Sequence, residues 1–378
     1  MAKAFSELVD IATELKPADI FCITQDGISH QIDAKIIEYT INSHIVRTQE
    51  DFNNLLTRVA ANQYKIKDGI YAVSFRPLAG GYKMHGGTSP LSGGDLWGYI
   101  ETNQCTRVFF DPNTFIDMGT TIGYFKPNTA NSIIENVYIK GDDTGSADAI
   151  VQSFLISAND IRLIGCITSN RFSNVDYYAF NNLSAGYINN ILTGCKVHSV
   201  KTGVGKFLYG IGANMYHVID CSAYDINSTG SIIYGFSSGR NIKGCNAYNI
   251  EGFLVIGING SLVVNCVAED LTGTSSAIGI QGSFIVNSRA DTITGNGYGF
   301  YDSLNVLNCQ AISCDNGFEL IDAVGYCLAN ANTVNGFNNC KAMGHNRSTA
   351  NGTNYLNCFA DWAGTVPVAD TAAGGYNG

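Results

Sequence analysis

Four stretches decide the fold: IYGFSSGRNIKGC (Ile233–Cys245), VIGINGSLVVNC (Val255–Cys266), AIGIQGSFIVNS (Ala277–Ser288) and YGFYDSLNVLNC (Tyr298–Cys309). Each reads as a Gly-apolar pair, a polar turn, and a short alternating strand that ends on Cys or Ser. Working outward, the same ending recurs as GCIT from Gly165, GCKV from Gly194, DCSA from Asp220, GCNA from Gly244 and NCVA from Asn265. NSRA from Asn287, NCQA from Asn308, NCKA from Asn339 and NCFA from Asn357 complete the series. The shared pattern is Gly, Asn or Asp, then Cys, any residue, and a small residue. Steps between successive Cys positions settle at 21–24 residues through the middle. The longer step from Cys309 to Cys340 leaves room for a partial extra coil around Cys327.

Self-similarity at this period marks a solenoid. Leucine-rich repeats need a Leu-x-x-Leu-x-Leu consensus, which is absent. Helical repeats need long segments of 3.6 periodicity, and none follows residue 62. Short strands of Val, Ile, Phe and Tyr broken by Gly and Asn predict an all-β chain, a right-handed single-stranded parallel β-helix. With a rung of about 4.8 Å, nine coils make a rod of roughly 40 Å. The expected span is Asn131 to Trp362, with Cys166, Cys195, Cys221, Cys245, Cys266, Cys309 and Cys358 in one inward column. A Cys there is read as a small buried hydrophobe, sharing its face with the small residue two places on. Reduced structural thiols are expected, with disulfides up the column as the alternative. Asn before Cys suits the bends, because it tolerates left-handed backbone.

Composition bounds the function. The chain has 378 residues, 12 Cys, 42 Gly, only 14% charged residues and a net charge of −10. Nucleic acid and anionic membrane surfaces both call for a basic face, so neither is the expected partner. No apolar run is long enough for a membrane span, and Met1–Asp10 lacks the form of a signal peptide. No CxxC pair or phosphate loop is present, and the reading calls for no cofactor and no metal.

The front of the chain differs from the repeat. Asp26-Gly27, flanked by IFCIT and ISHQID, predicts a hairpin. Residues 49–62 predict a helix with Phe52, Leu55, Leu56 and Val59 on one face. The stretches FSEL, PADIFCITQDG and HQIDAKII are similar to the N-terminal attachment segments of bacteriophage tail fibres and tailspikes. VRTQEDFNNLLTRVAANQYKIKDGIYAV (Val46–Val73) resembles the start of pectin-lyase-like β-helices, where a capping helix precedes the first rung. The resemblance implies a virion protein, made in the host cytoplasm, that forms a homotrimer and binds, or binds and cleaves, a host cell-surface glycan. Four segments follow: a particle-attachment segment (1–45) that docks on a phage tail or baseplate protein, a cap helix with irregular first coils (46–130), the β-helix (131–363) and a C-terminal tail (364–378). Val267, Ile312, Met343 and Phe359 are candidates for the shared face of the trimer.

The repeat also sorts residues by direction. Three places after each Cys, outward, stand Ser169, His198, Tyr224, Tyr248, Glu269, Asp291, Ile312, Met343 and Asp361. Tyr224 and Tyr248 beside acids suit a sugar-binding strip, with Asp225 and Asp270 next to it. Glu269 and Asp291, one rung apart, are the candidate catalytic pair, since stacked carboxylates push one pKa upward. The plainer reading of these acids is solvated surface. Weaker candidates are Asp142, Asp143 and Asp148 for a metal, Asp315, Glu319 and Asp322 for a cleft, and Asp176, Tyr177 and Tyr178 for a binding loop. His198 and His217 lack metal partners in sequence. Three functions stay open on this scaffold: glycan attachment, polysaccharide depolymerisation (hydrolase before lyase), and a purely structural fibre or adaptor.

Overall fold

The computed structural model describes residues 20–25, 28–33 and 43–356, apart from 61–62, 85–98, 120–122, 142–151, 185, 213–214, 341, 345, 350 and 352. Ile20–Gln25 pairs antiparallel with Ile28–Asp33, the hairpin that the Asp-Gly pair predicts. From Ser43 onward the chain winds as a parallel β-helix with three faces.

Face I starts with Ser43–Val46, Ala72–Phe75 and Arg107–Phe110, each hydrogen-bonded in parallel to the next coil. Face II carries the strands that follow each Cys, such as Ile167–Ser173 and Lys196–Thr202. Face III carries the Gly-apolar pairs, from Gln63–Ile66 and Tyr99–Glu101 to Asn335–Asn338 and Thr353–Leu356. In the middle the turns shrink until Ser222–Lys243, Asn246–Val264 and Val267–Val286 each run around a whole coil as one strand. The ladders begin well before the repeat is visible in sequence. Val137 holds the place of the Cys there, so the thiol signature is missing while the corner geometry persists at Asn136.

That corner explains the Gly/Asn/Asp before each Cys. Gly165, Gly194, Asp220, Gly244, Asn265, Asn287 and Asn308 all lie in the left-handed region, with φ between 51° and 64°. Only Gly, and next Asn or Asp, adopt it at little cost. The bend turns the following N–H inward, away from the strand ladders, and a buried donor must find a partner. It finds the side chain one coil on. Cys195, Cys221 and Cys245 donate their N–H to the Sγ of Cys221, Cys245 and Cys266 at 3.3, 3.4 and 3.4 Å. Ser288 fits the same place: Cys266 donates to its Oγ at 3.2 Å, and Ser288 donates to Cys309 at 3.4 Å. Each thiol in turn donates to a carbonyl, as Cys221 does to Ile219 at 3.2 Å. Cys is therefore a hydrogen-bonding group here, which the reading as a small hydrophobe missed.

The column departs from expectation at its end. Cys309 donates to Cys327 Sγ, 18 residues on, and Cys327 to Asn346 Oδ1, 19 residues on. Coils of this length put Cys327 in the column and Cys340 outside it, near the carbonyls of Phe318 and Asn338. Cys358 lies outside the described residues. The ten cysteines whose side chains are described, Cys105 to Cys340, are free and buried.

Glycine governs face III. A Cβ on Gly235, Gly257, Gly279 or Gly299 would meet the carbonyl oxygen of the next glycine in the column at 2.6–2.7 Å. The coils approach too closely for any side chain there. Beside this column the core is filled by stacked rings, such as Phe300, Phe318 and Phe337 at 4.8 Å centroid spacing.

Helix α1 is Gln49–Leu55, shorter than predicted, with a capping box between Thr48 and Asp51. Its Phe52 is buried against Phe75 and Tyr82 at 6.0 and 5.5 Å, over the first coil's core. Leu56–Ala60 is a strand instead, because its backbone pairs antiparallel with Gln63–Ile66. Val59 consequently points to solvent.

Candidate functional site

The face II strip has the register that equal offsets from the Cys predict. Lys196–Thr202 sets His198 beside Tyr224, then Tyr248, Glu269, Asp291 and Ile312 follow coil by coil. The next member is Asn330, not Met343, because Cys327 and not Cys340 continues the column. Asp361 lies outside the described residues.

What the register could not show is how the rings sit. His198 and Tyr224 stack at 5.0 Å and 14°, and Tyr224 and Tyr248 stack at 4.8 Å and 3°. Both faces of Tyr224 are covered by its neighbours. A sugar stacks on an open aromatic face, so Tyr224 offers only an edge and a hydroxyl. Burial raises the hydroxyl pKa of Tyr224 and Tyr248 and lowers that of the His198 ring.

Asp291 was expected to face solvent and is 8% exposed. Its carboxylate is bound by the Arg289 guanidinium and accepts a hydrogen bond from Thr292 Oγ1 at 3.1 Å. Glu269 is half-buried on the neighbouring rung. The pair is adjacent, but it is a carboxylate beside an ion pair rather than two bare carboxylates. Asp225 and Asp270 are exposed, and both have φ 52°. They share this left-handed bend with Asn170, Ser199, Asn249, Thr292 and Ser313. Backbone geometry accounts for an Asp there, and Asp225 also accepts from Asn249 Nδ2 at 2.7 Å.

Several weaker candidates serve the coils. Asp176 accepts the Phe207 N–H at 3.0 Å. Tyr177 is buried and bonds Ser153 at 2.6 Å, while Tyr178 stacks on Tyr209 at 4.6 Å. Asp315 accepts from the Gly297 N–H at 2.8 Å and from Thr333 Oγ1 at 3.0 Å, stitching three coils. His217 pairs with Asn241 at 3.2 Å. Asp142, Asp143 and Asp148 lie outside the described residues. Among the described residues no three His, Cys, Asp or Glu side chains come together as metal ligands.

A different site emerges at the corner between faces III and I. The polar turns of the repeat stack there, putting Ser237 beside Asn259 and Asn259 beside Gln281. With Ser261, Ser283 and Asp302 they line an open groove of about 350 Å³. The lining is hydroxyl, amide and backbone, with one carboxylate, one apolar residue (Leu304) and no cation. The line continues past the groove. Ile280 pairs with Phe300, so Tyr301 follows Gln281, and Tyr301 then pairs with Glu319 and Glu319 with Asn338. Tyr298 and Tyr301 meet at 4.8 Å, tilted by 48°. Burial holds the Glu319 carboxyl above its usual range, opposed by a hydrogen bond from Asn338. The sequence contained the signal: SSG, NGS, QGS and YDS recur at one place in the four opening stretches. Each by itself is a polar turn, and only stacking makes them a surface.

The class defined by this fold and site is a parallel β-helix that carries a polar groove along one corner. No family profile and no curated protein sequence matches the chain. Among solved structures, it is similar to the periplasmic alginate epimerase AlgG at 11% identity and a TM-score of 0.28, covering 95% of this chain and 98% of that one. Two mutants of the same epimerase align at TM-scores of 0.30, with 10% and 11% identity over 95% and 87% of this chain. The fold rests on the ladders described above and not on these likenesses.

Proposed function

We propose that the protein is a bacteriophage tail fibre or tailspike that attaches to a host cell-surface polysaccharide. The observation that carries this reading is the groove at the III–I corner, whose serines, amides and backbone groups match the donors and acceptors of sugar hydroxyls. The docking end is residues 1–45, which meet the particle, and the rod is used as a homotrimer. Side-by-side association would cover the exposed Leu262, Phe284 and Leu307 of face I. Val267 and Ile312 are half-buried on face II, and the side chains of Met343 and Phe359 lie outside the described residues. Pull-down of purified host capsule or lipopolysaccharide by the full chain tests attachment. Failure to retain any host polysaccharide rejects it.

A depolymerase on the same scaffold is the second reading, favoured by the adjacent rungs of Glu269 and Asp291. It predicts released oligosaccharides from the bound glycan, lost in Glu269→Gln. Attachment without release in the wild-type protein rejects hydrolysis.

A further inference from the structure

We propose that the groove and its continuation over Tyr301 and Glu319 form one strip that binds an uncharged polysaccharide lying along the rod axis. This rests on the attachment reading and narrows it to a class of glycan and a direction.

The direction follows from register. Ser237, Asn259 and Gln281 follow one another on three coils and Tyr301, Glu319 and Asn338 on the next three, the two runs joined by the Ile280–Phe300 pair. Five rungs of about 4.8 Å make a strip roughly 24 Å long, running across the strands and therefore parallel to the axis. A chain laid this way meets a repeated set of hydroxyls and amides.

The class follows from charge. The strip offers the carboxylates of Asp302 and Glu319, and no Lys or Arg lines the groove. Arg240, close to the first coil of the groove, is engaged over the Tyr216 ring at 4.0 Å. An anionic sugar would lose water beside these carboxylates and gain no cation, which is unfavourable. A neutral sugar needs only hydrogen bonds and an apolar contact. Tyr298 and Tyr301 supply the latter: both are half-buried, and their 48° tilt keeps them from closing on each other as Tyr224 and Tyr248 do.

The test is an array of purified bacterial capsular and O-antigen polysaccharides, divided into neutral and acidic, probed with the labelled full chain at low and high salt. The expected result is binding to neutral polysaccharides, insensitive to salt, and weakened about tenfold in Gln281→Ala and in Tyr301→Ala. Gln281 is half-buried at the surface, so its variant keeps the test valid if Tyr301→Ala does not fold. Binding confined to acidic polysaccharides, or neutral binding untouched in Gln281→Ala, overturns this proposal and leaves attachment standing. No binding to any polysaccharide overturns attachment and this proposal with it.

Discussion

Replacing Cys245 by alanine and by serine separates two accounts of the thiol column. In the structure Cys221 donates its buried N–H to Cys245 Sγ at 3.4 Å, and the Cys245 thiol donates to the Lys243 carbonyl at 3.3 Å. Alanine removes the acceptor and strands the Cys221 N–H, which costs about 1–3 kcal/mol. Losing the buried sulfur adds about 1 kcal/mol. The alanine variant should therefore lose about 2–4 kcal/mol. Serine keeps both hydrogen bonds, as Ser288 does naturally, accepting from Cys266 at 3.2 Å and donating to Val286 at 3.0 Å. Its cost should be about 1 kcal/mol or less. Were the Cys only a small hydrophobe, the order would reverse, since a buried hydroxyl without a role is worse than a methyl. Urea unfolding of the full chain measures the order. Midpoints are the quantity to compare, because coil-by-coil solenoids need not unfold in two states. An alanine variant as stable as the serine variant would refute the hydrogen-bonded column.

Three further outcomes are expected. Gly257→Ala places a Cβ 2.7 Å from the Gly279 carbonyl and 2.6 Å from Leu271 Cδ1. It should cost about 1–3 kcal/mol, and an unchanged melting temperature would contradict the close approach of the coils. Burial pushes the Cys195 and Cys221 thiols well above their usual range. Brief iodoacetamide treatment at about pH 8 should leave both unmodified until the protein is unfolded, as mapped by mass spectrometry. Glu319 has its pKa raised mainly by burial. The fold is thus unpenalised where the carboxyl is neutral, and it loses stability as pH rises through the raised value. Glu319→Gln should raise the melting temperature near neutral pH and have less effect below the carboxylate range; equal shifts at both would contradict this.

The local rules were legible because a solenoid repeats them. A Cys-x-small unit every two dozen residues, with Gly or Asn ahead of it, specifies strand, bend and period without any long-range knowledge. The offsets from the Cys also put Tyr224, Tyr248, Glu269 and Asp291 in one line. The coils of 46–130 read only as irregular because the thiol that marks the later corners is missing there, and Val137 still holds that corner in the first regular coil. Cys340 misled because coils of 18 and 19 residues had already moved the column to Cys327 and Asn346.

What sequence alone determined, then, is the alternation along each strand and the order of residues up each column, since both follow from neighbouring backbone bonds. Tertiary structure decided what the columns present. Stacking closed the faces of Tyr224, Arg289 claimed Asp291, and a left-handed bend accounted for Asp225 and Asp270. The same stacking set the polar turns of four coils side by side as a groove. A turn is a local event, whereas a groove needs the spacing and twist between coils, and no single repeat contains that distance.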